Sequence, residues 1–227
     1  MKNNRYPISI RHALMLLVLL LGLPSLGYAK SFEQDGVEYS VVDDATGRKC
    51  VEVAGLSGAS QVVVIPRSVR NYEVIAIGKF AFYGCSGLTS LTIPNSVISI
   101  GENAFSGCSG LTSLTIPCRF IESDILKCSK LESLTVHGDK TKYGYVIDLN
   151  CSKLIKNNPS LASVTIKDAA TIADYAFSGC SGLTSIKIPN SVTTIGDYAF
   201  EGCTGLTSID IPDRVRLIGV SAFIRCI

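Results

Sequence analysis

The stretch GCSGLTSLTIP, residues 84–94, decides the fold because it recurs along the chain. It returns nearly letter for letter at 107–117 and 179–189, and with small changes at 202–212. A segment that repeats in this way predicts a solenoid, in which each coil buries its apolar face only against neighbouring coils. Almost every recurring residue is therefore one that stacking itself requires.

Each repeat predicts one coil of the solenoid. Leu91 and Ile93 alternate with polar residues, which predicts a short strand with these two side chains turned inward. Pro94 ends that strand, since proline is tolerated at a strand end but not in its middle. A second extended piece at 96–101 and a single helical or 3₁₀ turn at 103–108 complete the coil. The coil therefore has strands on one side and short turns on the other.

The apolar residue just before the proline position marks the number of coils. Stacked parallel strands lie about 4.8 Å apart, so seven of them predict a sheet roughly 30 Å long. The array of about seven repeats is irregular at 118–160 and stops inside a repeat. The seven marker residues follow one another at spacings of 28, 23, 20, 30, 22 and 23 residues: Ile65, Ile93, Ile116, Val136, Ile166, Ile188 and Ile211.

Cysteine and phenylalanine recur once per coil, which predicts two buried ladders. Zinc needs four converging ligands and the chain has no C-x-x-C pair, so burial as small apolar side chains is favoured over a metal or redox site. Ile125 and Ile155 hold the phenylalanine position in two middle coils. Cys50, Cys118 and Cys151 lie outside the register and are candidates for a disulfide or a reactive thiol. The predicted structural ladder consists of Cys85, Cys108, Cys128, Cys180 and Cys203 with Phe82, Phe105, Phe177, Phe200 and Phe223.

The region before the repeats predicts two further segments. The first 29 residues have three basic residues, an apolar run at 13–23 and a small residue at the end, as in a secretory signal peptide. Residues 30–58 alternate in the period of a strand on both sides of a turn, which predicts a β-hairpin that caps the first coil. The predicted organisation is a signal peptide at 1–29, an N-terminal cap at 30–58 and a repeat array at 59–227.

The repeat resembles the BspA-type bacterial leucine-rich repeat. Its pattern, I-G-x-x-A-F-x-G-C-x-x-L-T-S-I-x-I-P-x-S-V, is matched from Ile77 and again from Ile195, and the resemblance covers about 165 of the 198 residues that follow the signal peptide. It implies a right-handed coil with a parallel β-sheet on one face and short extended pieces and 3₁₀ or helical turns on the other. It also implies exported or surface proteins, some of which adhere to host extracellular proteins, and it implies no catalytic residue.

Composition and charge disfavour several classes of function. After removal of the signal peptide 18 basic and 19 acidic residues remain, so no basic face for nucleic acid is expected. No later segment is long and apolar enough to span a membrane. His137 is the only remaining histidine, and it lies beside Gly138 in a polar insertion, where a solvated loop residue is favoured over a catalytic one. We therefore expect no enzyme activity, no metal and no cofactor.

The outward side of the strands is expected to be the working surface, because repeat solenoids bind along their extended sheet. These residues form a serine and threonine ladder in which charge appears only in the last two rungs, although a soluble surface kept by duplication would look the same. The ladder consists of Ser90, Thr92, Ser113, Thr115, Ser133, Thr135, Ser163, Thr165, Ser185, Lys187, Ser208 and Asp210.

An insertion of about seven residues within 137–145 breaks the repeat. Insertions into a repeat array map to one face that is often the binding face, so this one is a candidate for specificity. Tyr143 and Tyr145 lie close to Lys140 and Lys142, and tyrosine is enriched at protein interfaces. Neutral drift in a duplicated array would also explain the insertion.

The sequence therefore predicts a secreted or cell-surface protein that mediates protein–protein interaction, with host extracellular proteins as candidate partners. A structural module that self-associates through an uncapped C-terminal coil is the first alternative. A glycan-capture surface protein is the second, and it requires exposed aromatic residues that the sequence does not place.

Overall fold

The computed structural model leaves five parts of the chain undescribed. The predicted signal peptide lies in the first of them, and so does nearly all of the small unit Met1–Lys30, whereas Ser31–Ile227 form one compact unit. Cys128, Cys151, Ile125 and Ile155 also lie outside the described residues. The division into signal peptide, cap and array stays a prediction. The described residues are 30–121, 130–141, 144–147 and 160–226, with the side chains of 140–145 left out.

Short strands dominate the described residues, and the only helical element among them is a 3₁₀ turn at Cys118–Phe120. The strands are β1 (Ser31–Gln34), β2 (Val37–Asp43), β3 (Lys49–Leu56), β4 (Val62–Val64), β5 (Ser68–Val69), β6 (Tyr72–Ile77), β7 (Ser90–Thr92), β8 (Ser99–Ile100), β9 (Ser113–Pro117), β10 (Ser133–His137), β11 (Asp139–Thr141), β12 (Gly144–Ile147), β13 (Ser163–Lys167), β14 (Thr171–Ile172), β15 (Ser185–Lys187), β16 (Thr194–Ile195) and β17 (Leu217–Ile218).

The main sheet contains six parallel strands in the order β15-β13-β10-β9-β7-β4. Each coil contributes one strand, and neighbouring coils pair without a shift, so that Leu91, Leu114 and Leu134 lie opposite one another. All three leucines are buried, and a fully buried leucine side chain contributes about 1.5–3 kcal/mol. The predicted solenoid, with a parallel sheet on one side, is confirmed.

The prediction of a seventh strand around Ile211 is wrong. Residues 208–211 form no strand, and no backbone hydrogen bond joins 207–211 to the preceding coil in the described part of the chain. Ile211 is 39% exposed, whereas Ile188 at the same position of the preceding coil is 8% exposed. This rung therefore lacks the packing that holds the other six in the sheet.

The opposite side of the coils carries shorter strands and turns. β8 pairs with β6, and a separate sheet has the order β11-β12-β14-β16-β17. The turns between the two sides are closed by hydrogen bonds to the residue three positions earlier, such as Cys108 N–H to Phe105 O at 3.1 Å. This is the 3₁₀ pattern that a turn of this length can accommodate.

A three-stranded antiparallel meander, β1-β2-β3, covers the first coil, and β3 joins β6 in parallel. β2 and β3 form the predicted hairpin. In its turn Asp44 Oδ1 accepts hydrogen bonds from the backbone N–H of Thr46 at 2.8 Å and of Arg48 at 3.0 Å. The hydrogen bond from the Thr46 hydroxyl, with these two, holds the pKa of Asp44 well below its usual range.

The phenylalanines of the ladder stack inside the coils. The rings of Phe82 and Phe105 lie 5.2 Å apart and nearly parallel. Phe200 stacks on Phe177 at 5.1 Å and on Phe223 at 5.2 Å, with angles of 2°. These separations are close to the strand spacing, so one ring per coil fills the space between the two sides.

Cys108 and Cys203 of the ladder are buried and also have a polar contact, whereas Cys85, which was predicted to be buried with them, is only partly buried. The thiol of Cys108 donates to Phe82 O at 3.2 Å, and the thiol of Cys203 donates to Phe177 O at 3.1 Å. Each thiol therefore adds a second hydrogen bond to a carbonyl of the preceding coil that already accepts a backbone N–H of its own turn.

Two predictions for the cysteines are corrected. Cys180 is buried in the ladder but is disulfide-bonded, and its partner lies outside the described residues. Cys50 and Cys118, which lie outside the register and were candidates for a disulfide or a reactive thiol, are buried and form no disulfide, so the first alternative is wrong for them and the second stays a prediction. Position in the repeat alone therefore does not separate bonded from free cysteines, because a disulfide depends on the partner that the fold brings near.

None of the helices in the described residues has the length and apolar character that crossing a membrane requires.

Candidate functional site

The outward side of the main sheet is the first candidate surface, and we call it the strand face. Its serines lie in one row and its threonines in a second, because the strands pair without a shift. Ser208 and Asp210 do not extend these rows, since they lie outside any strand. The use of the strand face in binding stays a prediction. The first row contains Ser90, Ser113, Ser133, Ser163 and Ser185, and the second contains Thr92, Thr115, Thr135, Thr165 and Lys187.

The first rung of the strand face is apolar. Val62 pairs with Ser90 and Val64 with Thr92, so these valines occupy the positions of the two rows. Both are largely exposed. The sequence ladder did not include them, although their alternation around Val63 was the available signal.

A groove of about 950 Å³ runs along the ends of the strands, beside the strand face, and we call it the strand-end groove. Its lining residues lie in six coils, from the corner after β4 to Ser191 after β15, and its charged residues lie in the first five of these coils. Of its charged or titratable residues, only His137 is a candidate that the sequence pattern indicated. The groove is lined, among others, by Arg67, Ile98, Arg119, His137, Lys167 and Asp168.

Two groove residues occupy the position that is proline in the regular coils. Pro117, His137 and Lys167 lie opposite one another in the sheet. A proline there has no N–H and a fixed φ, whereas histidine and lysine bring a polar side chain to the strand end. This replacement is visible in the sequence and is the signal that would have found the groove.

Arg119 fixes the middle of the groove to the preceding coil. Its Nη2 donates to Asn95 O at 2.8 Å and to Val97 O at 2.6 Å, and its Nη1 contacts Asp139 Oδ1. The thiol of Cys118 donates to the other oxygen of Asp139 at 3.2 Å. Arg119 is therefore a structural clamp, with its charge balanced by Asp139.

His137 is not the solvated loop residue that the sequence predicted. It is the last residue of β10, its side chain is 19% exposed, and its Nδ1 lies 2.7 Å from Asp168 Oδ2. The reason is that β10 continues to the position where proline ends the strand in regular coils. The insertion therefore begins one residue later than the pattern indicated.

The corner that carries Asp168 is one residue shorter than the regular corner. Thr165 pairs with Lys187, and Thr171 pairs with Thr194. The two paired positions are therefore six residues apart in one coil and seven residues apart in the next. Asp168 has a φ of 52°, in the left-handed region that aspartate tolerates better than most residues. This tight turn directs the chain from β13 into the short strand β14.

The two ends of the groove carry its most exposed cations. The Arg67 side chain is 82% exposed and contacts Glu73 at 3.9 Å, while Glu73 also accepts from Arg48 at 3.1 Å. Lys167, at the other end, is exposed, and no carboxylate of the described residues forms an ion pair with it. Both ends therefore present cationic groups to a ligand.

The predicted insertion forms a small hairpin next to the groove. β11 starts directly after Gly138 and pairs with β12, and Lys140 lies opposite Tyr145 in the backbone register. The side chains of these two residues, and all of Lys142 and Tyr143, lie outside the described part of the structure. Their role as contact residues stays a prediction.

Exposed aromatic residues, which a glycan-binding site would require, occur on the turn side. Tyr175 and Tyr198 stack at 5.1 Å with an angle of 5°, and Tyr175 is exposed. Phe80 and Tyr83 are exposed on the same side and contact each other edge to face, with ring centroids 5.7 Å apart. No group of three or more potential metal ligands occurs among the described residues.

The sequence matches the family model of the BspA-type leucine-rich repeat region in six copies, over residues 63–156 and 152–227. The chain belongs to this family. Leucine-rich repeat proteins are typically non-enzymatic scaffolds with extended binding surfaces, which indicates a role in protein interaction or at a surface. Among curated proteins, none matches this chain.

Three solved structures of bacterial leucine-rich repeat proteins are similar. A leucine-rich cell-surface protein from Faecalibacterium prausnitzii is 26% identical over 87% of this chain, with a TM-score of 0.41, and this chain covers 52% of it, about half its length. The leucine-rich repeat protein of T. pallidum is 22% identical, with a TM-score of 0.41. The match covers 87% of this chain and 89% of that protein. A leucine-rich repeat protein from Bacteroides ovatus is 21% identical, with a TM-score of 0.34. The match covers 86% of this chain and 92% of that protein.

Proposed function

We propose that this BspA-type chain is exported to the cell surface and binds a partner protein through the strand face and the strand-end groove. One observation carries the proposal: where the repeat departs from its pattern, charged side chains replace the strand-ending residues and lie beside the strand face in one groove. Host extracellular proteins are the partner class that the family resemblance favours.

Export is supported by the N-terminal sequence and by one bond. The signal-like segment ends at Ala29, and Cys180 is disulfide-bonded, which is usual in oxidising compartments outside the cytosol. N-terminal sequencing of the protein recovered from the surface of expressing cells should begin at Lys30. Recovery only from the cytosol, with Met1 retained, would contradict export.

The binding test compares two serine substitutions. Ser133 lies in β10 at the centre of the strand face, and Ser109 is an exposed turn residue on another side of the coil. Ser133→Arg should weaken binding to immobilised, purified extracellular-matrix proteins at least tenfold, because a long charged side chain would project from the centre of the strand face. Ser109→Arg should bind as the unmodified chain does. Equal effects of both variants, or no saturable binding by the unmodified chain, would contradict the proposal.

A separate variant tests the insertion. Tyr143→Ala combined with Tyr145→Ala removes both tyrosine side chains of the insertion. We expect weaker binding to the same immobilised protein, since tyrosine is enriched at interfaces. Unchanged binding would remove the insertion from the proposed site and leave the strand face in it.

A second candidate function is self-association. Leu217, Ile218, Val220 and Ile224 are all exposed in the last coil, and contiguous exposed apolar side chains mark association surfaces. Sedimentation at rising concentration should then show dimers that Val220→Asp abolishes. A monomer at millimolar concentration would exclude this function.

A further inference from the structure

The exposed charge of the strand-end groove is mainly positive. Arg67 is 82% exposed, whereas Glu73 beside it is 29% exposed and already contacts Arg48. Lys167 is exposed at the far end, without an ion pair among the described residues. Asp168 is the one exposed carboxylate that lines the groove, and the His137 ring contacts it. A ligand with acidic groups therefore complements the two ends.

The separation of the two cationic ends fits an extended chain. Arg67 follows β4 and Lys167 ends β13, which are four strands apart in the sheet. Four spacings of about 4.8 Å give about 19 Å, and an extended peptide covers that length in about six residues. Residues six apart in an extended chain also point to the same side, so two carboxylates can face the same groove.

The middle of the groove carries groups that suit a peptide between those ends. Ile98 is largely exposed next to Pro94, which offers a contact for one apolar side chain. The hydroxyl-bearing residue Thr115 also lines the groove, and its side chain can bond to peptide groups. Arg119 adds no free charge, since Asp139 balances it. The middle is therefore polar and close to neutral, while each end carries an exposed cation: Arg67 at one end, and Lys167 beside Asp168 at the other.

We propose that the strand-end groove binds an extended acidic peptide segment, with one carboxylate at Arg67 and a second, about six residues away, at Lys167. An apolar side chain of the segment contacts Ile98. This inference rests on the proposed function, because the segment belongs to the partner protein. The groove thus selects a partner that carries such an extended acidic segment.

Fluorescence anisotropy with two labelled peptide pools tests the inference. Both pools have nine residues, with leucine at position 4 and serine or threonine elsewhere, and they differ only at positions 2 and 8. Glutamate at both positions should give binding at least tenfold tighter than glutamine, and the preference should shrink as salt rises from 50 to 500 mM. Equal binding of the two pools, or no saturable binding of the glutamate pool, would overturn the inference.

Matched variants locate the preference. Arg67→Gln combined with Lys167→Gln should abolish the preference for glutamate. The control pairs Lys79→Gln with Arg216→Gln, which removes the same charges from residues that do not line the groove, and should keep the preference. Loss in both double variants would show a nonspecific charge effect and overturn the site. Binding of heparin without binding of the glutamate pool would also overturn it, in favour of an acidic polysaccharide.

Failure of this inference is distinguishable from failure of the proposed function. Matrix-protein binding that Ser133→Arg weakens would preserve the proposed function even if the peptide pools bound equally. Absence of matrix-protein binding together with tight binding of the glutamate pool would preserve the groove and remove the host extracellular partner.

Discussion

The regular coils and the middle coils differ in what their polar side chains contact. In the regular coils these side chains bond to the backbone of a neighbouring coil: Ser191 Oγ donates to Ala169 O at 2.7 Å, and Asp174 Oδ1 accepts from Asp197 N–H at 2.8 Å. In the middle coils His137 contacts the side chain of Asp168, and Lys167 projects to solvent. Stacking therefore uses these polar groups of the regular coils, whereas the side chains of His137 and Lys167 form no bond to the backbone of a neighbouring coil among the described residues.

The same comparison separates two kinds of residue within the groove. Arg119 bonds to two backbone carbonyls of the preceding coil, as the polar residues of the regular coils do. Lys167 and Arg67 make no such bond among the described residues. The contacts of a charged residue at a strand end thus indicate whether it stabilises the fold. The loss of free energy of unfolding on substitution measures this contribution.

Tight stacking of the regular coils predicts the largest effect. A Cβ at Gly110 would collide with the backbone carbonyl oxygen of Ser86, whereas a Cβ at Gly87, at the same position of the preceding coil, would meet nothing within 4 Å. Gly110→Ala should lower the free energy of unfolding by about 3 kcal/mol or more, because the coils must move apart. Gly87→Ala should change it by less than about 1 kcal/mol. Urea unfolding measures both, and similar losses would contradict the described coil spacing.

The groove arginines should differ in stability by a smaller amount. Arg119→Ala removes three hydrogen-bonded contacts and leaves Asp139 without its partner, so the free energy of unfolding should fall by about 2–3 kcal/mol. Arg67→Ala removes one long, exposed ion pair and should change it by less than about 0.5 kcal/mol. A large loss in Arg67→Ala would place that residue among the structural ones.

The buried thiol ladder predicts a pH effect of about 1 kcal/mol. Burial, with a smaller contribution from Cys226, raises the pKa of the Cys203 thiol to about 12. Above its ordinary pKa the unfolded chain loses this proton and the folded chain keeps it, so the free energy of unfolding falls as pH rises from about 9 towards 12. Cys203→Ser keeps a donor for Phe177 O but does not titrate in this range. The fall in Tm from pH 8 to pH 10 should therefore be smaller in the variant. Equal falls would contradict burial of the thiol.

Where the repeat is faithful, sequence alone predicted the architecture, because stacking constrains almost every position. The inward Leu91 and Ile93, the strand-ending Pro94 and the capping hairpin are as expected. The seventh strand around Ile211 failed, since a strand also needs ladder hydrogen bonds that a repeat pattern does not report.

The groove could be predicted only in part. His137 and Lys167 at the proline position were readable from the sequence, but their meeting with Arg67 in one groove depends on how five coils stack. The contact of His137 with Asp168 also depends on a corner that is one residue short. The bonded state of Cys180 is likewise not visible in the repeat pattern. These are relations between coils, which the order of residues in one coil does not contain.

A corner graft tests most directly the claim that the middle coils are released from stacking for binding. It replaces Lys167-Asp168 by Pro-Asn-Ser, the sequence of the regular corner at 189–191. The account predicts a free energy of unfolding within about 1 kcal/mol of the unmodified chain, as for surface changes, and a loss of the preference for the glutamate peptide pool. A loss of more than about 2 kcal/mol, which would reveal a structural role, or an unchanged preference for the glutamate pool would contradict it.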